Sequence, residues 1–180
     1  VYKFTKLAVH LLSLVSQVNK EVLTKTKIIR RHYPEYIPWY RATSGGGAIT
    51  LGNRRWSRIY YTENWFSDDH SIYSNAAYGS NLWVWLRMTS HEVIHLTHAL
   101  RFRFFILYLT VFAYQYIRYG HDKAPLELEA NAGTYRLYRF NNYMVSTHNL
   151  SIDKMLMGSM SEEDKISMLS NYWAQYNDRV

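Results

Sequence analysis

The chain is 180 residues long, enough for one domain with its own core, and it contains no Cys. Disulfides, thiolate metal sites and a cysteine nucleophile are therefore excluded. The formal net charge is +7, and up to residue 60 eleven cations from Lys3 to Arg58 face only Glu21 and Glu35. A basic face of this kind meets nucleic acid, an anionic membrane or an acidic substrate, or is simply solvated. No nucleic-acid motif accompanies it, so a solvated surface is expected and no nucleic-acid partner is.

Residues 2–30 read as helical, because Leu7, Leu11, Leu14, Val15 and Val18 recur at helical spacing. The chain starts at Val, as expected of a processed or trimmed product. Val1 to Val15 is not read as a signal peptide, since His10 interrupts its apolar run and no small-residue cleavage site follows. Pro34 and Pro38 make the next stretch irregular, and Thr43 to Gly47 reads as a loop. Ala48 to Leu51 and Arg58 to Thr62 are β-rich runs around Gly52-Asn53, which predicts a hairpin or a bulged pair. A loop with Asp68, Asp69 and His70 follows over 64–79, and Ser80 is placed to cap the next helix. Helices are expected over about 80–100, 102–119 and 125–145, and Ser161 to Asp164 should cap a last one to about 175. Phe104 to Tyr119 is the longest apolar stretch, but it contains Gln115 and Arg118 and is shorter than the ~20 residues of a transmembrane span. It reads as a buried helix, with an interfacial one as the alternative.

Within the second of these expected helices lies His91-Glu92-Val93-Ile94-His95, an H-E-x-x-H pattern. Residues four apart share a helical face, so His91 and His95 can bind one Zn²⁺ while Glu92 serves as general base. The apolar flanks, Leu82 to Leu86 and Val93 to Leu96, predict a buried helix. Two imidazoles and a carboxylate in such a place are costly unless paired or metal-bound.

A third ligand is needed. His98 shares roughly the same face but would have to bend back along its own helix. Glu127, with Asn131 one turn later, offers a ligand and a hydrogen-bonding partner for it. Glu129 points to another face and is the alternative ligand. Ordinary first-turn acids would also account for both glutamates. The metzincin pattern is excluded, because His98 stands where it requires Gly and Arg101 where it requires His.

H-E-x-x-H at 91–95 followed by Glu127-Leu128-Glu129-Ala130-Asn131 resembles the gluzincin metallopeptidases, nearest to the heat-shock and CAAX-prenyl zinc proteases. That resemblance implies that Glu127 is the third zinc ligand. Asn131 stands at the family's Asp position, keeping a hydrogen-bonding group and losing a charge. Thr50 to Asn53, the 91–95 motif and Pro125 to Ala130 together are also similar to small, poorly characterised bacterial zinc-peptidase-like domains. In those the His98 position is often Gln, which implies a supporting role for His98. The resemblance spans roughly residues 47–140.

The expected architecture is therefore α+β: a mainly helical, zincin-like domain over 1–180, with a small β-hairpin or sheet beside the motif helix. An N-terminal helical region of about 1–40, a catalytic core of about 47–145 and a C-terminal helix of about 161–175 make it up. The expected function is a zinc metallopeptidase acting on peptide or protein substrates, with metal-activated water, Glu92 as base, and His91, His95 and Glu127 as ligands. Tyr119, His121, Tyr135 and Tyr138 are the candidate oxyanion donors. The strand segment 48–62 could pair with extended substrate or be a plain structural hairpin. Two alternatives of other classes stand beside the peptidase. One is a non-catalytic zinc-stabilised domain, its fourth position filled by His98. The other is a basic module binding membrane or nucleic acid. Peripheral membrane contact is compatible with the sequence. Compartment and oligomeric state are left open.

Overall fold

A computed structural model describes residues 2–31, 48–53, 55–62 and 82–177. Among these the chain runs through α1 (Lys6–Ser16), α2 (Lys20–Lys25), β1 (Lys27–Arg31), β2 (Ala48–Asn53), β3 (Trp56–Thr62), α3 (Leu82–Arg101) and α4 (Phe105–Tyr119). A 3-10 turn at His121–Lys123 leads into α5 (Pro125–His148), α6 (Ile152–Met157) and α7 (Glu162–Asn177). The fold is α+β, mainly helical with one small mixed sheet. The segments read as loops over 32–47 and 64–79, with Asp68, Asp69 and His70, lie outside the described residues, as does Ser80.

The expectation of helix throughout 2–30 is corrected. Thr5 caps α1, accepting from the Ala8 N–H, and Gln17 ends it in the left-handed region at φ 61°. Asn19 caps the short α2, and Thr26 is extended. Ile28 and Ile29 then enter β1, where β-branched side chains fit a pleated surface. Helical periodicity holds only as far as Val15. The isoleucines that follow are drawn into the sheet by a partner thirty residues downstream.

The strand order is β1-β3-β2, with β1 parallel and β2 antiparallel to β3. The predicted pair is present as β2 and β3, joined by a tight turn in which Asn53 Oδ1 accepts from the N–H groups of Arg55 and Trp56. The sheet packs on α3, and Tyr61 hydrogen-bonds Thr89 across that interface at 2.9 Å. Leu11, Leu12 and Val15 of α1, Trp85 and Leu96 of α3, Phe140 and Met144 of α5 and Leu169 of α7 share one buried core with Ile28 and Ile59. Polar clasps tie the helix ends together. Glu162 accepts from the Leu7 N–H at the start of α1, and the Arg136 guanidinium donates to the Val15 and Ser16 carbonyls at its end. Ser161 caps α7 as expected, accepting from the Asp164 N–H.

Helix α4 departs from its expected burial. Tyr108 is its fully buried residue, while Ile106, Leu107, Tyr114, Tyr116, Ile117 and Tyr119 are exposed. Apolar residues surround this helix on all sides, and one face suffices to meet β2, α3 and α5. The other faces solvent. Among the described residues, no helix is long and apolar enough to cross a membrane.

Candidate metal centre

Helices α3 and α5 supply the site, and their packing brings its residues together. At Gly133 a Cβ atom would lie 2.1 Å from the Ser90 carbonyl oxygen and 2.9 Å from Ile94 Cδ1. Only a residue without a side chain lets the helices approach this closely. Pro125 opens α5, and the Leu126 N–H of its first turn, which has no acceptor within the helix, is taken by Gln115 Oε1 of α4 at 3.0 Å. Glu127, one residue on, is thereby buried against α3.

Three donor groups converge there. His91 Nε2 lies 3.0 Å from Glu127 Oε2 and 3.1 Å from His95 Nε2, and His95 Nε2 lies 3.6 Å from Glu127 Oε1. At these separations the facing atoms repel unless a proton or a metal cation lies between them. Protonation behaviour reports the same field. Burial disfavours the charged form of His91, yet its hydrogen bond to Glu127 and the charges of Glu92 and Glu127 outweigh this and raise its pKa. Burial would raise that of Glu127, but hydrogen bonds from His91 and His95 drive it well below the usual carboxylate range. The His91–His95–Glu127 group could hold a metal ion.

The far sides of both imidazoles are engaged, which fixes their tautomers. His91 Nδ1 is 3.1 Å from Asn131 Oδ1, so Nδ1–H donates and Nε2 is the atom left to meet a proton or a metal. His98 Nε2 is 3.0 Å from Glu129 Oε2, which only accepts; His98 Nε2 therefore carries the hydrogen, and its Nδ1 accepts from His95 Nδ1–H at 3.1 Å. Burial, together with the charge of His95, pushes the His98 pKa down to about 4. His98 thus sits behind His95 as its hydrogen-bond partner and turns neither nitrogen toward the convergence point. Glu129 is half exposed and held by Arg101 as well as His98. Burial raises its pKa, but the hydrogen bonds and charges of Arg101 and His98 together outweigh it and lower it.

Glu92 is buried next to this cluster, on the sheet side of α3. The Thr50 hydroxyl lies 2.7 Å from its Oε2 and 2.9 Å from its carbonyl oxygen, tying β2 to the motif helix. Above Thr50, the Tyr108 hydroxyl donates to the Thr50 carbonyl at 3.4 Å, and burial raises the Tyr108 pKa, with Glu92 and Glu127 adding to the effect. Phe112 of α4 sets its ring edge-on to His95 at 6.2 Å. Phe112 does not stand out as a site residue in the sequence, and Thr50 does so only as the first residue of the Thr50 to Asn53 resemblance, with no role attached. Thr50 is 42 residues from Glu92, and no spacing rule connects them.

Compared with protein-family models, with curated proteins and with solved structures, the chain shows no match.

Of the four candidate oxyanion donors, the structure brings His121 to the cluster, with Nε2 3.7 Å from Glu127 Oε2. Gly120, at φ 74°, makes the turn that swings it there from the end of α4. Tyr138 packs edge-on against Trp83 beneath the Arg87 guanidinium, Tyr119 lies under Arg118, and Tyr135 is exposed.

Proposed function

We propose that this chain is a zinc-dependent metallopeptidase of the gluzincin type, with His91, His95 and Glu127 as zinc ligands and Glu92 as general base. The supporting observation is the convergence of three lone-pair donors, 3.0–3.6 Å apart, beside a buried glutamate. Tetrahedral zinc with Zn–N bonds of about 2.0 Å sets neighbouring ligand atoms about 3.3 Å apart, which these separations bracket. Two imidazoles and one carboxylate suit zinc and leave a coordination position open for chemistry. A zinc ion held by these three residues would supply Lewis acidity, polarising a peptide carbonyl and making water acidic enough to be deprotonated at neutral pH.

Glu92, held by Thr50, takes the proton of the attacking water and passes it to the leaving amine. His121, with Nε2 3.7 Å from Glu127 Oε2, serves as a donor to the oxyanion. Strand β2, at the edge of the sheet among the described residues, offers extended backbone to a substrate strand. A purely structural zinc site is the second reading, and the approach of His121 to Glu127 is what favours it, as a fourth ligand closing the shell.

Elemental analysis of the wild type, Glu127→Ala, Glu129→Ala, Glu92→Gln and His121→Ala, with peptide hydrolysis in parallel, decides between them. The peptidase reading expects about one zinc per chain, lost in Glu127→Ala and kept in the other three. Glu92→Gln should then lower hydrolysis by about 10²-fold or more. Zinc lost in His121→Ala together with an inert wild type would mean a structural site. A wild type that takes up no zinc would end both readings.

A further inference from the structure

The outward face of α4 has no role in the metal centre, and its composition is unusual. Ile106, Leu107, Thr110, Ala113, Tyr114 and Ile117 line one side of the helix through three turns, all exposed, with Ile106 at 65 % and Ile117 at 85 %. Phe104, 56 % exposed, extends the strip at its start. No charge interrupts it. Cations stand at its ends: Arg103 lies over the Phe104 ring, and Arg118 over Tyr114 and Tyr119. From Arg101 to His121 there is no acidic residue.

A second, separate feature adjoins the same end. Trp56, at the start of β3, packs on Phe105 with ring centroids 5.3 Å apart. It brings alongside α4 a groove of about 420 Å³ lined by Lys25, Lys27, Arg55 and Arg58, in which the acid, Glu21, is already paired with Lys25.

We propose that α4 and this basic groove form a docking surface for an anionic lipid bilayer, with α4 lying in the plane of the interface. An uncharged apolar strip of this length suits the acyl boundary. Tyrosines and arginines at its margins suit the headgroup level, and the groove's cations, Lys27, Arg55 and Arg58 beside the Glu21–Lys25 pair, suit anionic headgroups next to it. An apolar protein partner would account for the strip but leave the flanking cations unmatched. The inner face of the same helix covers the metal centre through Phe112 and Gln115. A docked α4 therefore holds the centre within about one helix diameter, ~10 Å, of the lipid surface. None of this depends on which metal the centre binds.

Vesicle flotation tests the proposal, using phosphatidylcholine alone and phosphatidylcholine mixed with phosphatidylglycerol. The wild type is expected to float with the mixed vesicles, and less so as salt is added. Ile106→Ser/Ile117→Ser should reduce partitioning by about tenfold or more. Lys25→Gln/Arg55→Gln/Arg118→Gln should abolish the preference for the anionic mixture. Both isoleucines are solvent-exposed, and unchanged thermal unfolding checks that the variants fold; the charge variant carries the test if the serine pair does not. A wild type that stays with the dense fraction would overturn the proposal, as would a serine pair that floats undiminished. A dimer seen by light scattering, dissolved by the serine pair and without vesicle binding, would assign the face to a second copy of the chain instead.

Discussion

At the residue scale, the centre depends on which nitrogen of each imidazole is free. Asn131 and His98 take the Nδ1 hydrogens of His91 and His95, leaving both Nε2 atoms turned toward Glu127. His98→Phe removes the acceptor behind His95 and should weaken zinc binding by about 10–100-fold, read by competition with a chromophoric chelator. His98→Gln, whose side-chain oxygen can accept the same hydrogen, should recover much of that loss. An ordinary packing role would predict the reverse order, since Phe fills a buried site at least as well as Gln. Proton competition gives a second prediction. As a proposed ligand, His91 must be unprotonated to bind a metal, and, despite burial, its hydrogen bond to Glu127 and the nearby carboxylates raise its pKa above the ordinary imidazole value. Affinity should therefore be flat above that raised value and fall as pH drops through it. Calorimetry in buffers of different ionisation enthalpy should show protons released on binding, more of them at lower pH.

At the element scale, the site exists because α3 and α5 lie close enough for a first-turn glutamate to reach two histidines on a neighbouring helix. Gly133 sets that distance. Gly133→Ala adds helix propensity, which would stabilise an isolated helix by about 1 kcal/mol. Here its Cβ would strike the Ser90 carbonyl, so the helices must separate. The expected result is a net loss of about 1–3 kcal/mol in denaturant unfolding and weaker zinc binding, although the substitution lies outside the ligand set. The ordering of β2 against α3 is a second element-scale requirement. Thr50 and Tyr61 make polar links between sheet and helix, and Thr50 ends on Glu92 itself.

At the scale of the whole molecule, the proposed ligands bridge two helices that also anchor the main core, α3 through Trp85 and Leu96 and α5 through Leu137 and Phe140. A metal bound there stabilises the folded chain by mass action. At a free zinc concentration a hundredfold above the dissociation constant, this amounts to about 2.7 kcal/mol, or roughly 5–10 °C in Tm for a domain of this size. Differential scanning calorimetry should show that fall on adding a chelator to the wild type and no such response in Glu127→Ala.

The pairing of His91 with His95, the place of Glu92, the strand pair at 48–62 and the α+β class were legible in the sequence, because each rests on local spacing. Helical period puts residues four apart on one face, and alternating β-rich runs about a short turn find each other nearby. Reading the three-stranded sheet was not possible at that level, since Ile28 and Ile29 become a strand only through β3. Spacing favoured Glu127 over Glu129 through its shared face with Asn131 and left Glu129 as the alternative, and it could not separate His121 from three tyrosines. Which of them lie beside the histidines follows from the closeness of two helices at Gly133 and the turn at Gly120. Burial of α4 was misjudged for the same reason: hydrophobicity says that a surface is better covered, but only tertiary packing decides whether anything covers it. Local periodicity thus determined which residues could do the chemistry, and long-range packing decided which of them meet.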